Sequence, residues 1–343
     1  MTDHASITVC DATLRDGSHA YGHQISREQI HEYATAADAA GFDYVEVGHG
    51  NGLGASSLQV GRSKTPEEDM LTTARAALKS TKLSIHVMPG FATIHREIAR
   101  ALDLGVDLFR VGSHCTEADV TQRHIGHVRA AGKEAWGVLM MTHMASAEVL
   151  LEEARKMQSY GAQGVVLMDS AGASLPRDVT EKVGLLASRL DVPVGYHAHE
   201  NLGLGIANAI AALEAGARIL DGTSKGFGAG AGNAHLELIV AILHKLGYPN
   251  TIDLYKALDA SEVAGRLFAG SLPDSNSVTI VSGLAGVFAG FAKPVQRISA
   301  ELGIDPRDLF FELGKRKVVG GQEDLILEVA QQIAARSKTD QVA

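Results

Sequence analysis

The chain has 343 residues, of which 45% are hydrophobic and 21% are charged, so it is long enough to bury a large core. Its formal net charge is −9, and no run of Lys and Arg alternates with aromatic residues, which argues against partners such as nucleic acid or an anionic membrane. The two cysteines form no disulfide framework, as is typical of a reducing compartment. Asp3 and His4 precede the first apolar run, and no apolar stretch reaches about 18 residues, so we expect no secretory signal, no membrane span and a cytoplasmic location.

The first predicted strand begins near Val9 and leads directly into Arg15, Asp16 and His19. A buried strand needs apolar residues, but packing gives it no reason to end in a cation, a carboxylate and an imidazole within five positions. These residue types therefore indicate a functional site. A polar turn held by a salt bridge is the alternative interpretation.

A repeated local order of helix, glycine, two residues and strand follows along the chain, at Gly41, Gly105, Gly161 and Gly216. The intervals between these glycines are long enough for two strand–helix units each. The predicted strands after the first are Tyr44–Val47, Leu83–Val87, Leu108–Val111, Trp136–Met140, Val165–Met168, Pro193–His197 and Arg218–Leu220. The predicted helices are a capped helix from Ser26 to Ala40, then Pro66–Lys79, Ile94–Leu104, Ala118–Ala131, Ala147–Ser159, Pro176–Leu190, Ile206–Ala215 and Ala234–Leu246.

Eight strands that alternate with eight helices over about 250 residues predict an α/β protein with a (β/α)8 TIM barrel. A doubly wound open sheet is the alternative, but the turn at residues 17–22 lacks the glycine fingerprint that usually opens the first helix of that fold. The strand pattern stops near Asn250, and helices are predicted at Leu254–Leu267, Val278–Phe291, Val295–Leu302 and Glu323–Ala335. We therefore predict a barrel with the site over residues 1–250 and a helical C-terminal domain over residues 251–343.

Histidines at the end of the seventh strand give the sharpest chemical signal. Residues i and i+2 of a strand share a face, so His197 and His199 present their imidazoles side by side. With Asp16 from the first strand, they form a set that can hold a divalent metal and leave positions open for substrate. Two histidines satisfied by hydrogen bonds in the barrel mouth are the alternative. The glycine-rich run 226–232 lacks the Lys-Ser/Thr of a P-loop, so we expect a loop that packs against the metal site, with Asn233 as an outer ligand or a helix cap.

Two motifs resemble those of a known superfamily. The segments 11–17 (DATLRDG) and 197–201 (HAHEN) resemble the metal-dependent TIM barrels of the HMG-CoA lyase and isopropylmalate synthase superfamily. Within it, the chain resembles the 4-hydroxy-2-oxovalerate aldolase family over nearly its whole length, including segments 114–119, 228–234 and 317–324. His19 stands where the enzymes of the superfamily that use acyl-CoA carry glutamine, and histidine can titrate near neutral pH.

The resemblance implies a class II pyruvate aldolase that cleaves 4-hydroxy-2-oxovalerate, or a related 4-hydroxy-2-oxoacid, to pyruvate and an aldehyde, acetaldehyde in the common case. It implies a divalent ion, Mn²⁺ before Mg²⁺ or Co²⁺, held by Asp16, His197 and His199, of which Asp16 and His197 also border the substrate. His19 would take the proton of the 4-hydroxyl group, and Arg15 would bind substrate and stabilise the enolate. Ser170 and Phe288 match positions that contact substrate.

The chain departs from the family pattern at two places. Phe288 replaces a tyrosine whose hydroxyl lies near the substrate's 4-hydroxyl, which makes the stereochemical preference an open question. The segment 86–89 (HVMP) replaces a leucine-rich one, so a different aldehyde is possible.

The resemblance also implies an acylating acetaldehyde dehydrogenase as partner and a place in aromatic hydrocarbon catabolism. Two alternatives stay open: a synthase or lyase of the same superfamily that acts on acyl-CoA, and a non-catalytic scaffold for an aldehyde dehydrogenase.

Overall fold

The structure, a computed structural model, describes residues 5–340, with side chains described as far as residue 336. Asp3 and His4, on which the expectation about a secretory signal rested, lie outside this range. Within it, no helix combines the length and the apolar character needed to cross a membrane.

Eight parallel strands form a closed barrel in chain order, so the predicted (β/α)8 fold is confirmed. The strands are β1 (Thr8–Leu14), β2 (Tyr44–Val47), β3 (Lys82–Val87), β4 (Leu108–His114), β5 (Glu134–Met140), β6 (Val165–Met168), β7 (Val194–His197) and β8 (Ile219–Gly222). The barrel closes where β1 pairs with β8, with Thr8 opposite Ile219 and Asp11 opposite Gly222. Because all strands run in the same direction, their carboxyl ends meet at one rim.

Nine helices follow the strands in the barrel part of the described chain: α1 (Gly17–Ala20), α2 (Arg27–Ala40), α3 (Glu67–Ala77), α4 (Ala99–Asp103), α5 (Gln122–Ala130), α6 (Ala147–Ser159), α7 (Pro176–Ala187), α8 (Gly205–Glu214) and α9 (Leu236–Leu246). The sequence signals at the ends of α2 are confirmed: Ser26 and Gln29 form a capping box, and Gly41 ends the helix with φ +78°. The helix predicted over 94–104 begins instead with a π-helical turn at Ile94–Ile98, and the one predicted over 118–131 with a 3₁₀ turn at Ala118–Thr121.

Five more helices follow: α10 (Leu254–Leu267), α11 (Ser277–Ala285), α12 (Ala292–Leu302), α13 (Pro306–Lys315) and α14 (Asp324–Asp340). The single helix predicted over 278–291 is wrong, because Gly286 adopts φ +66° and ends α11. Helix α13 was not predicted, although Asp305 caps it by accepting from the amide of Arg307 and Pro306 opens it.

The buried apolar residues form two main clusters. The first joins the barrel to its surrounding helices and includes Ala257 and Ala264 of α10. The second, built by the last helices, includes Val287, Phe291, Leu309 and Val329. The division into domains at residue 250 stays a prediction.

The C-terminal helices are joined to the barrel rim by hydrogen bonds. The Ala289 amide donates to the Ser170 carbonyl (2.9 Å), and the Asn201 side-chain amide donates to the Ser282 hydroxyl (2.7 Å). The first contact is made by the neighbour of Phe288, and the Phe288 ring lines the cavity at the barrel mouth.

Candidate metal centre

The carboxyl ends of β1 and β7 bring three polar side chains together at the rim of the barrel. Asp16 lies just beyond β1, and His197 is the last residue of β7, with His199 two positions later. The distances are 3.7 Å from His197 Nε2 to Asp16 Oδ2 and 3.9 Å from His199 Nε2 to Asp16 Oδ1. All three side chains are buried, and one donor atom from each lies within 4.8 Å of the others. These residues could therefore hold a metal ion.

The donor atoms fit such an ion. Nε2 of His197 and Nε2 of His199 are both buried without a hydrogen-bond partner among the described residues. A buried polar atom left without a partner is costly, and a metal ion supplies one. The alternative of two histidines satisfied by hydrogen bonds therefore fails at these two atoms.

The protonation states also suit a cation. Burial opposes ionisation of Asp16, but Arg15 and the imidazoles of His199 and His197 outweigh it and hold the pKa of this carboxyl well below its usual range. Burial lowers the pKa of His199 to about 3. A carboxylate and a neutral imidazole are the forms that coordinate metals.

Arg15 lies beside the three donors. Its Nη1 donates to Asp16 Oδ2 at 2.5 Å, and its Nε donates to Glu46 Oε2 at 2.7 Å. The remaining Nη2 is buried and has no hydrogen-bond partner among the described residues. Two contacts thus fix the guanidinium while one nitrogen stays free for an anionic oxygen.

One cavity of about 180 Å³ brings together most of the residues that the sequence singled out. Six of them line it: Arg15, Asp16, His19, Ser170, His199 and Phe288. His197 is not among the lining residues and reaches the site through its contact with Asp16. Apolar side chains, including Met88, Met140 and Met168, complete the wall.

His19, on α1, lies at the edge of this cavity beside Phe288. The two rings meet edge to face, with centroids 6.3 Å apart. Burial lowers the pKa of His19, so the imidazole is neutral at physiological pH and can accept a proton.

The glycine-rich loop contacts the site, as the sequence predicted: the Ala229 amide donates to Asp16 Oδ1 at 2.9 Å. Asn233 does not cap α9, because the residue at that position is His235. Its amide oxygen and nitrogen are buried without a partner in the described part of the chain, so a role as an outer ligand stays a prediction.

The sequence analysis missed a buried arginine below the site. Arg110 lies inside β4, where it forms ion pairs with Glu46 and Asp221. Its signal was a lone cation in the apolar run Leu108–Val111.

Comparison with known proteins fits this geometry. The HMGL-like family matches residues 6–264, and a DmpG-like communication domain matches residues 273–335. A 4-hydroxy-2-oxovalerate aldolase of Pectobacterium atrosepticum is 56% identical over 332 residues, which are 97% of each chain. The enzyme of that name from Spirochaeta aurantia is 57% identical and covers 96% of this chain and 97% of its own.

Among solved structures, the carboxyl transferase domain of Rhizobium etli pyruvate carboxylase with pyruvate and biocytin aligns with a TM-score of 0.83. The alignment covers 97% of this chain and 61% of that one at 14% identity, so it supports the fold alone. The sequence matches support more than the fold, because they extend over nearly the full length of both chains at more than half identity. The protein therefore belongs to the HMGL-like family, and its relatives within that family are 4-hydroxy-2-oxovalerate aldolases.

Proposed function

We propose that this protein is a class II pyruvate aldolase that cleaves 4-hydroxy-2-oxovalerate, or a close 4-hydroxy-2-oxoacid, to pyruvate and an aldehyde. The observation that carries the proposal is the cluster of donor atoms of Asp16, His197 and His199 beside the cavity that Arg15 and His19 line. A divalent ion in this site, Mn²⁺ before Mg²⁺ or Co²⁺, would supply a Lewis acid for the 2-oxo group.

The side chains around the cavity carry out the other steps of the reaction. Neutral His19 takes the proton from the 4-hydroxyl group as the C3–C4 bond breaks and the aldehyde forms. The electron pair of that bond passes to the pyruvate fragment as an enolate, and the free Nη2 of Arg15 supports the developing negative charge. Ser170 and Phe288 line the same cavity, where they would contact the substrate.

The match to a communication domain supports a dehydrogenase partner for residues 273–335. We propose an acylating acetaldehyde dehydrogenase, which would consume the aldehyde as it forms. Both Cys10 and Cys115 are free and buried, which supports a cytoplasmic location.

The test is pyruvate release from 4-hydroxy-2-oxovalerate, followed with lactate dehydrogenase, on metal-stripped protein with and without Mn²⁺. We expect pyruvate only with the ion, and none from Asp16→Asn under either condition because that variant loses the carboxylate ligand. If longer 4-hydroxy-2-oxoacids also yield no pyruvate with any of the three ions, the proposal is wrong. Activity that requires coenzyme A would instead support an acyl-CoA enzyme.

A further inference from the structure

A chain of buried ion pairs runs beneath the candidate metal centre. Asp221 Oδ2 lies 3.2 Å from His197 Nδ1 and also pairs with Arg110. Arg110 also donates from Nη1 to Glu46 Oε1 at 3.2 Å. Glu46 accepts a second hydrogen bond, from Nε of Arg15. Strands β2, β4 and β8 thus connect a candidate metal ligand to the arginine of the substrate cavity.

The positive and negative charges in this series of buried ion pairs do not cancel. Two guanidinium groups, of Arg15 and Arg110, face three carboxylates, of Asp16, Glu46 and Asp221, and none of the five residues is more than 3% exposed. Burying a charge is costly unless it is paired, and here the described side chains leave one negative charge in excess. A divalent cation at the site offsets that excess.

The contact at His197 Nδ1 has a chemical consequence. A carboxylate paired with a guanidinium only accepts hydrogen bonds, so Nδ1 must carry the proton that it donates to Asp221. In the neutral ring, Nε2 is then the unprotonated nitrogen, and Nε2 is the atom that faces Asp16. Partners of this kind fix the tautomer and orientation of metal-binding histidines.

We propose that Asp221 and Arg110 are positioning residues of the aldolase site. Asp221 orients His197 for metal binding, and Arg110 fixes both Asp221 and, through Glu46, the guanidinium of Arg15. This inference rests on the proposed function, because it takes His197 as a metal ligand.

The chain offers a matched control in Asp11. It is a second buried aspartate, and β1 places it opposite Gly222, next to Asp221 in β8. Its carboxylate accepts from the Thr13 hydroxyl (2.5 Å) and the Tyr33 hydroxyl (2.8 Å), away from the metal centre. Asp11→Asn therefore makes the same chemical change on a neighbouring strand without touching His197.

The experiment titrates metal-stripped protein with Mn²⁺ and detects free Mn²⁺ by electron paramagnetic resonance. We expect Asp221→Asn to raise the Kd by about 10- to 100-fold, the usual cost of losing such a partner, and Asp11→Asn to leave it unchanged. Equal Kd values for wild type and Asp221→Asn would overturn the inference while leaving the aldolase proposal intact if wild type releases pyruvate. A wild type that binds no Mn²⁺ and releases no pyruvate from any of the 4-hydroxy-2-oxoacids with any of the three ions would refute the proposed function instead.

Two further variants keep the test decisive if Asp221→Asn fails to fold. Arg110→Lys retains the charge, but a lysine cannot pair with Glu46 and Asp221 through two separate nitrogens. We therefore expect the Kd for Mn²⁺ to rise by about tenfold. Glu46→Gln weakens the hold on Arg15 without touching His197, and we expect it to lower kcat. If Arg110→Lys binds Mn²⁺ like wild type, or if Glu46→Gln leaves kcat unchanged, the positioning role is refuted.

Discussion

At the scale of single residues, the rings of His19 and Phe288 meet edge to face in the candidate cavity. The imidazole is neutral because burial lowers its pKa, and its ring meets an aromatic edge that carries no hydroxyl. His19 can therefore exchange a proton with the substrate, but Phe288 cannot direct the substrate's hydroxyl by a hydrogen bond.

Replacing His19 by glutamine should slow cleavage and leave the metal centre intact. Glutamine keeps a side chain that forms hydrogen bonds but cannot accept the proton, so we expect kcat to fall by about 10² to 10⁴. The Kd for Mn²⁺ should not change, because His19 is not one of the three donors. His124→Gln, on α5 and outside the residues that line the cavity, is the control and should retain kcat within about tenfold. Normal turnover by His19→Gln would exclude it as the base.

Replacing Phe288 by tyrosine should sharpen the choice between the two enantiomers of 4-hydroxy-2-oxovalerate. The new hydroxyl adds one hydrogen-bonding group beside His19, and one such bond is worth about 0.5 to 1.5 kcal/mol, or about 2- to 13-fold. The measurement is the ratio of kcat/KM for the two enantiomers. An unchanged ratio would show that Phe288 does not face the 4-hydroxyl group.

At the scale of elements, the barrel could be predicted because each strand–helix unit carries its own local signals. Capping residues, turn glycines and short apolar strands fix the units, as Ser26 and Gly41 do for α2. The convergence of Asp16 and His197 was predictable because parallel strands end at one rim. The break at Gly286 was missed because the apolar residues of 278–291 continue across it.

The role of Arg110 could not be predicted from local pattern. It depends on contacts across the interior of the barrel, from β4 to β2 and β8, which only the closed structure defines. The sequence marked the residue as unusual but could not identify its partners.

The glycine-rich loop should tolerate no side chain at Gly228. A Cβ there would lie 2.6 Å from Asn233 Oδ1 and 2.9 Å from Asp16 Oδ1, although the backbone itself would accept alanine. We expect the added Cβ of Gly228→Ala to displace the Asp16 carboxylate and thereby raise the Kd for Mn²⁺. Gly126→Ala, where a Cβ on α5 would meet no atom within 4 Å, is the control and should leave it unchanged. If both variants bind Mn²⁺ alike, the loop does not support the metal centre.

At the scale of the whole molecule, stability should depend on pH through Asp11. Burial raises the pKa of this carboxyl to about 6, above its value in the unfolded chain. The folded protein therefore keeps a proton that the unfolded chain loses, and this contribution to stability is lost as the pH rises from about 4 to about 6.

Asp11→Asn removes that dependence. We expect the free energy of unfolding of the variant, relative to that of wild type, to be larger at pH 7 than at pH 4 by about 2 to 3 kcal/mol. Urea unfolding at both pH values measures the difference. If the two proteins differ in free energy of unfolding by the same amount at both pH values, the pKa of Asp11 is not raised by folding.

The closure of β1 against β8 also determines when the candidate site can form during synthesis of the chain. The partner of one edge of β1 is β2, which follows it closely in the chain, whereas the partner of its other edge is not made until residues 219–222 leave the ribosome. Before residues 197–199 are made, Asp16 has neither histidine donor, and before residue 221 is made Arg110 lacks one of its two carboxylate partners. An ion bound by all three donors would therefore be acquired only after most of the polypeptide has been made, and a fragment released before β7 would lack two of the three donors.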